Sequence, residues 1–289
     1  MDTGSFRIRK TVPRCTEKSS SLPETSNIYI NGDLYSLVDI RATGDTLLEV
    51  TFENRKSSSK FVFNHDASSR GGIVVKHTKS SNSKVLYRVR LDTLKKTSKY
   101  FELLLGSDKF AEGSGIAAIF TSLRLRGIVP SEAKPQDLPR ISIIDDDDPT
   151  RIAGREAVFS DLLQILHGGD ITTRLTIPHL AILVVMADRF DCTTTVARYV
   201  KSSRRFPWPQ TSGNNSSATE EVLRQKILVS WLLDDPAKLA SATKELILRG
   251  SLKWSGVEEH SAREQQATWW DLQDGLEGMV ICICPFITG

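Results

Sequence analysis

Short runs of β-branched and aromatic residues, separated by polar residues, occupy the stretch 28–91. The run 47–52 is bounded by polar breaks, as is typical of a short strand. Farther along, the runs 73–75 and 85–91 flank the stretch 79–84, whose serine and asparagine residues are common in turns. This pattern predicts a β-hairpin with 79–84 as its loop, and the alternation within 85–91 predicts a half-buried second strand.

Apolar residues take up helical spacing over 94–105, immediately after the predicted strand. Asp92 or Thr93 can cap the helix that starts there. A polar interruption at 97–98 predicts two short helices instead of one, and Gly106 predicts the end of the second. We expect core packing for four residues of these helices: Leu94, Tyr100, Phe101 and Leu104.

The stretch 113–137 shows little periodicity and contains two prolines, so we interpret it as an insertion with one marginal helix at most. The run 140–144 then predicts a short strand, because three isoleucines supply its bulk. Four aspartates, 145–148, precede Pro149, and proline is favoured in the first turn of a helix. Carboxylates there oppose the positive helix N-terminus, so we expect the aspartates to cap a helix and face solvent.

Helical patterns cover most of the remaining chain. An apolar stripe over 157–166 ends at two glycines, and a second helix opens at Pro178 with apolar residues nearly all round, which indicates burial. A third, short helix follows to about residue 200. Beyond a break rich in serine, asparagine and proline, 220–233 and 236–249 predict two more helices.

These patterns divide the chain into one main domain, 45–201, and a smaller helical extension, 220–250. The stretch 1–26 is polar and rich in serine, and predicts a flexible tail. The stretch 202–219 predicts a linker, and 251–289 predicts a C-terminal tail. Short strands beside separate runs of helices indicate the α/β class, in its α+β form.

Composition and charge add few constraints on function. The 289 residues are 39% hydrophobic and 25% charged with a formal net charge of +3, so nothing favours nucleic acid or a membrane surface as partner. The first 25 residues lack the apolar segment of a secretory signal. Four cysteines without zinc or redox spacing are expected to stay reduced, which favours a location in the cytoplasm or nucleus.

Two stretches have the composition of a ligand site, and each has a simpler interpretation. Gly113-Ser114-Gly115 fits the dinucleotide fingerprint only loosely, because helical residues precede it where a strand is required, so we interpret it as a flexible loop. The aspartates 145–148 have the charge of a cation site but lack the alternate ligands of a calcium loop. We therefore expect neither a metal ion nor a cofactor.

The chain also lacks the common catalytic motifs. The five histidines have no metal-ligand spacing, and we expect His167 and His179 at helix ends. Neither a G-x-S-x-G nor an H-E-x-x-H nor a Walker sequence occurs. These observations predict that the protein is not an enzyme.

A longer series of motifs runs through the main domain. It begins with a strand, Leu-x-x-x-Ser-x-Tyr-Phe at 94–101, an apolar helix, and Phe-x-Glu at 110–112. A second half follows, with the isoleucine strand, a helical hairpin and the sequence Met-Ala-Asp-Arg-Phe-Asp-Cys at 186–192. The series resembles a BTB/POZ domain over about residues 45–250, and the helices at 226–250 are similar to the extension in BTB-like proteins of fungi.

The resemblance implies a helical cluster capped by a small mixed sheet, with self-association or partner binding as the activity. Many relatives form homodimers through the first helix and the N-terminal strand. Some bind a cullin scaffold of ubiquitin ligases through an apolar-x-Glu motif, which Phe110 and Glu112 match, with the insertion 113–137 beside it. The alternative is that Phe110 packs on the core of its own domain while Glu112 faces water.

We therefore expect a non-enzymatic protein-interaction module that acts as an adaptor for a cullin ubiquitin ligase. The alternative is a homo-oligomerising assembly or scaffold protein with no ligase role. In the first case Phe110 supplies an exposed apolar anchor for the partner, and Glu112 supplies a charge that fixes the register.

Overall fold

The computed structural model describes residues 25–53, 61–62, 74–75, 83–106, 109–146, 148–150, 152, 154–171, 175–202, 208, 217–249 and 267–270. Within these ranges there are seven β-strands and eight α-helices. The strands are β1 Thr25–Ile30, β2 Asp33–Asp39, β3 Thr46–Phe52, β4 Phe61–Val62, β5 Val74–Val75, β6 Ser83–Val89 and β7 Arg140–Asp145. The helices are α1 Leu91–Thr97, α2 Lys99–Gly106, α3 Ala111–Leu125, α4 Glu156–Leu166, α5 Ile177–Arg189, α6 Thr193–Ser202, α7 Ser217–Leu232 and α8 Pro236–Arg249. This mixed α/β content is consistent with the α+β class expected from the sequence.

Five strands form one mixed sheet in the order β1-β2-β6-β3-β7. Strand β3 pairs antiparallel with β6 and parallel with β7, and β2 pairs parallel with β6. At one edge, β1 and β2 form an antiparallel hairpin whose turn residues, Asn31 and Gly32, have φ of 55° and 92°. A two-residue turn with positive φ at both positions matches the right-handed twist of the strands it joins.

The hairpin predicted between 73–75 and 85–91 is wrong. Val74–Val75 pairs with Phe61–Val62 in a separate two-stranded sheet, whereas Ser83–Val89 pairs with β3 along its whole length. The longer pairing forms a full ladder of hydrogen bonds and aligns apolar side chains on both faces of the sheet. Pairing with a two-residue strand offers neither.

One face of the sheet packs against the helices in the larger of two core clusters. Leu48, Val50 and Phe52 of β3 point to this face, because side chains alternate along a strand. Helix α5 is completely buried over 180–184, as its all-round apolar pattern predicted. The helical stripe at 157–166 is α4, which packs beside α5.

The opposite face of the sheet is covered by α3. Leu37, Leu47 and Leu86 of the sheet pack there with Leu123 of α3 and with Leu138. The sheet is therefore the middle of three layers, and β3 and β6 bury side chains on both of their faces.

The stretch 113–137, interpreted as an insertion with one marginal helix at most, contains a helix that is longer than expected. Ala111–Leu125 is a helix of 15 residues, and two short 3-10 turns, Pro130–Glu132 and Pro135–Asp137, follow it. The interpretation of Gly113-Ser114-Gly115 as a flexible loop is wrong, because these residues lie in the first turns of α3.

Helix α3 forms although its local propensity is poor. Gly113 and Gly115 each disfavour a helix by about 1 kcal/mol relative to alanine. The apolar positions Ile116, Ile119 and Leu123, however, repeat at the spacing of one helical face, and all three pack on the sheet side of α3 or in the core. Burial of that face outweighs the propensity of the first turns.

Helices α1 and α2 confirm the predicted pair of short helices, and α2 ends at Gly106 as expected. The break between them is Ser98, whose hydroxyl oxygen accepts the N–H of Phe101 at 3.1 Å. The same hydroxyl donates to the carbonyl of Phe190 at 2.6 Å. The start of α2 is thereby hydrogen-bonded to the residue that follows α5.

The residue whose side chain caps helix α1 is distant in the sequence. Neither Asp92 nor Thr93 caps it, because the helix already begins at Leu91. The N-cap residue is Arg90, which makes no side-chain capping bond. Instead, the carboxylate of Asp45, just before β3, accepts the N–H of Leu91 at 2.8 Å. This bond is a tertiary contact that satisfies a free backbone donor of the helix.

Helices α7 and α8 confirm the two helices predicted for the extension, 220–233 and 236–249. Helix α7 packs against both α5 and α8. It buries charged as well as apolar side chains, and Lys226 Nζ lies 3.1 Å from Oε2 of Glu245 on α8. Pairing of this kind is what allows a charge to be buried in a helical interface.

Three predicted segments fall largely outside the described residues. Of the tail 1–26, only the last two residues are described, and they lie in β1. Of the linker 202–219, the two ends and Trp208 are described. Of the tail 251–289, only 267–270 is described.

Leu123 and Leu125 provide a matched test of the packing of α3 on the sheet, since Leu123 is 1% exposed and Leu125 is 84% exposed. We expect Leu123→Ala to lower the free energy of unfolding by about 2–5 kcal/mol, because it deletes buried methyl groups and leaves a cavity. Leu125→Ala should change it by less than about 0.5 kcal/mol. Urea unfolding followed by far-UV circular dichroism measures both, and equal effects would contradict the observed packing.

Candidate interaction site

Exposed apolar side chains gather on α2 and at the start of α3, two helices that contact each other. Tyr100 and Leu103 are exposed on α2, and Phe110 is exposed just before α3. Glu112 lies in the first turn of α3 and faces solvent. We call these four residues the α2–α3 surface.

Phe110 is 46% exposed and belongs to neither buried cluster. Its backbone is extended (φ −109°, ψ 144°), so it forms the N-cap position of α3 and stands outside the helix. In this structure Phe110 is thus a surface residue and not a member of the buried core. An exposed aromatic side chain is a common anchor of a protein interface.

The predicted insertion forms part of this site. Helix α3 starts at the α2–α3 surface and turns its buried side, including Ile116 and Leu123, towards the protein. The motif residues Phe110 and Glu112 are thus held at the exposed N-terminal end of a helix whose far end is anchored on the sheet. Glu112 is also well placed electrostatically, because a carboxylate in the first turn is attracted by the positive end of the helix dipole.

An aromatic cluster supports α2 from beneath. The rings of Phe101 and Phe190 are stacked at 5.5 Å between centroids with an interplanar angle of 5°. Tyr100 and Phe159 each meet Phe190 edge-on, at 5.4 Å and 5.5 Å. Tyr100, expected in the core, therefore rests one side of its ring on the cluster and exposes the other.

A buried carboxylate fixes the segment that carries Phe190. Asp145 ends β7, and its Oδ2 accepts from Nε of Arg155 at 2.8 Å. Its Oδ1 accepts from Nη1 of Arg189 at 3.0 Å, and Arg189 also donates to the carbonyl of Ile144 at 2.8 Å. Because Arg189 is adjacent to Phe190, these bonds set the position of the aromatic ring.

The expectation that Asp145 caps a helix and faces solvent is wrong. Its side chain is buried, and the next helix, α4, begins only at Glu156. Burial raises the pKa of the Asp145 carboxyl, and the hydrogen-bonded guanidinium of Arg155 acts in the opposite direction. The two guanidinium groups offset part of the cost of removing this carboxylate from water.

Both histidines singled out in the sequence lie at helix ends, as expected. His167 follows α4, and its Nδ1 lies 2.8 Å from the carbonyl of Leu163 while its Nε2 accepts the N–H of Arg90 at 3.1 Å. Burial lowers the pKa of His167, which keeps the ring neutral in this bonding pattern. His179 is buried in the first turn of α5, with Nε2 3.0 Å from Oδ2 of Asp161.

Reactive groups are scarce in the ranges that the structure describes. Burial, together with the nearby carboxylate of Asp191, raises the pKa of the Cys192 thiol to about 12, so the sulfur stays protonated at neutral pH. The other cysteines lie outside these ranges. No group of three or more His, Cys, Asp or Glu side chains within them is arranged to hold a metal ion.

The chain has no match among known proteins, and its described helices do not have the length and apolarity of a membrane span. No family model matches the chain, and comparison with curated proteins and with solved structures likewise gives no match. Of the helices in the described ranges, none is both long enough and apolar enough to cross a bilayer.

The sequence located part of the α2–α3 surface and missed the rest. Phe110 and Glu112 were identified from the motif, whereas Tyr100 was expected in the core and Leu103 was given no role. The helix period indicates that residues 100 and 103 are exposed. They are three apart and share one face of α2, and this is not the face that the buried residues 101 and 105 share.

Arg155 tests the role of the buried carboxylate. We expect Arg155→Met to lower the free energy of unfolding by about 3–5 kcal/mol, because it removes the buried partner of Asp145 and leaves only the partly exposed Arg189 paired with that carboxylate. Combining it with Asp145→Asn should recover part of that loss. Arg126→Met is the matched control, since Arg126 is exposed and pairs with Asp137 at 3.0 Å.

The control should cost less than about 1 kcal/mol, as surface ion pairs do. Chemical denaturation of the four proteins, wild type included, gives the comparison. Equal costs for Arg155→Met and Arg126→Met would rule out the buried carboxylate as an anchor.

Proposed function

We propose that the protein is a non-enzymatic protein-interaction module of the BTB/POZ type. The motif series quoted above supports this proposal, and so does the observed order of elements: strand, two short helices, strand and a pair of packed helices. The departure from the expected pattern is α3, which lies between the second short helix and the strand β7. On this proposal the protein works without a cofactor or metal, and neither nucleic acid nor a membrane is its partner.

The more specific proposal is an adaptor for a cullin ubiquitin ligase that binds through the α2–α3 surface. The observation that carries it is the exposure of Phe110, with Glu112 two residues further along at the same helix end. An aromatic anchor can enter a pocket of the partner while the carboxylate selects its orientation. The proposal also places the protein in the cytoplasm or nucleus, where a thiol such as Cys192 stays reduced.

Affinity capture of cullins on the immobilised full chain tests the adaptor role. Phe110→Ala with Glu112→Ala should weaken capture by about 30-fold or more, which corresponds to the loss of one interface hot spot. The matched control is Leu125→Ala with Glu132→Ala, which also removes one exposed apolar and one exposed acidic side chain. The control should bind like the wild type.

Two results would count against the adaptor role. Unchanged capture by the Phe110→Ala, Glu112→Ala variant would remove this motif as the cullin contact. Failure of the wild-type chain to capture any cullin would remove the ligase role itself and favour the second candidate.

The second candidate is an assembly protein that forms homo-oligomers and has no ligase role. It is favoured by the outer strand β1, which pairs with β2 on one side only among the described residues. Tyr29 and Leu34 are cross-strand partners in this hairpin and are 72% and 58% exposed. An exposed apolar pair on an edge hairpin is the kind of surface that a second sheet or chain covers.

Light scattering after size-exclusion chromatography tests this candidate. The wild-type chain should elute as a dimer. Tyr29→Glu with Leu34→Glu should shift it to the monomer, because it is costly to bury two carboxylates in the dimer interface without opposite charges to pair with them. Leu125→Glu on α3 is the control and should leave the dimer unchanged. A wild-type monomer at all concentrations contradicts the candidate.

A further inference from the structure

The side chain of Trp269 is the largest fully buried side chain among the described residues, although it lies twenty residues beyond the end of α8. It belongs to a short 3-10 turn, Thr268–Trp270, which packs against α7. Trp269 is only 1% exposed, so α7 and its neighbours enclose the indole almost completely. Such enclosure is typical of an anchor side chain in a recognition pocket.

Side chains of α7 recognise the polar atoms of both tryptophans. The indole N–H of Trp269 donates to Oε1 of Glu221 at 3.2 Å. Nη1 of Arg224 donates to the carbonyl of Trp270 at 3.3 Å, and the guanidinium lies 5.0 Å from the centroid of the Trp270 ring. A cation at this distance from an indole is attracted by the negative face of the ring.

The turn is also held from the side of the main domain. The N–H of Thr268 donates to the carbonyl of Pro149, four residues after the end of β7, at 2.7 Å. The segment therefore bridges two parts of the chain, one from the β7–α4 connection and one from the helical extension.

The guanidinium of Arg224, which donates to the carbonyl of Trp270, is held in place by a neighbour on α7. Oε1 of Glu220 accepts from both Nε and Nη2 of Arg224 at 3.1 Å, one helical turn away, and both side chains are buried. This fork-like pairing orients the guanidinium plane, so little conformational freedom is lost when the indole stacks on it.

We infer that Pro149, Glu221 and Arg224 line a peptide-binding slot that is specific for consecutive tryptophans, with Glu220 orienting Arg224, and that Thr268–Trp270 of this chain is its ligand. The ligand class is a peptide that offers one backbone N–H, one indole N–H and one exposed indole face in succession. Because the ligand is tethered to the slot, its effective concentration is high and it excludes free peptides. The slot is independent of the α2–α3 surface and of the proposed ligase role.

A fluorescein-labelled peptide covering 264–273 of this sequence is the probe, and its anisotropy with the full-length chain is the readout. Trp269→Ala with Trp270→Ala empties the slot, so this variant should bind the probe at least about tenfold more tightly than the wild type does. Adding Glu221→Ala should weaken binding by about tenfold or more, because the indole N–H loses its charged acceptor. Adding Glu132→Ala instead is the control and should leave binding unchanged.

Specificity is tested on the probe itself. A peptide with Trp269→Phe keeps an aromatic ring but lacks the indole N–H, and it should bind the emptied slot about tenfold more weakly. Equal binding of the two peptides would overturn the assignment of Glu221 as the indole acceptor.

Folding of the emptied variant is checked by far-UV circular dichroism. If it is unfolded, Trp269→Phe in the full chain replaces it, since this milder change keeps the ring but weakens the tethered ligand. That chain should bind the wild-type probe more tightly than the wild-type chain does. Absence of probe binding to the folded variants, or equal binding to the wild-type chain, overturns the inference.

Discussion

The buried carboxylate of Asp145 is the contact on which the arrangement of the main domain depends. It closes the end of β7 with the guanidinium of Arg155, from the loop before α4, and with that of Arg189, from the end of α5. Since Phe190 follows directly, the charge network also sets the ring on which Phe101 is stacked. The buried charge cluster thereby determines the orientation of α2, and with it the helix face that is exposed.

The same region of the chain connects the main domain to the distant C-terminal segment. Pro149, four residues beyond Asp145, receives the hydrogen bond of Thr268, while α7 encloses the neighbouring indole. Helix α7 in turn packs on α5, whose end carries Arg189. Sheet, helical hairpin, extension and C-terminal turn thus meet at the β7–α4 connection, and a disturbance there is expected to reach all of them.

The sequence could predict those elements whose apolar spacing is regular and whose ends carry clear breaks. The two short helices around Ser98, the buried helix α5 and the pair α7 and α8 all follow from local spacing, because each buries one face or its whole circumference. Helix α3 was expected only as a marginal helix because its first turns contain Gly113 and Gly115, whereas its burial against the sheet outweighs their low propensity. The Asn31-Gly32 dipeptide is a turn signal that lies outside the periodic apolar runs.

By itself the sequence determined the periodicity of the helices and strands, the motif at Phe110 and Glu112, and the mixed α/β content. The tertiary structure alone decided which strands pair, that Asp145 is buried between two arginines, and that Tyr100 and Phe110 are exposed. The physical reason is that periodicity is a local property, whereas strand pairing, burial of charge and exposure depend on contacts between residues far apart in the chain. Trp269, whose indole contacts Glu221 48 residues earlier in the chain, shows this dependence most directly, because nothing in its neighbouring sequence indicates a pocket.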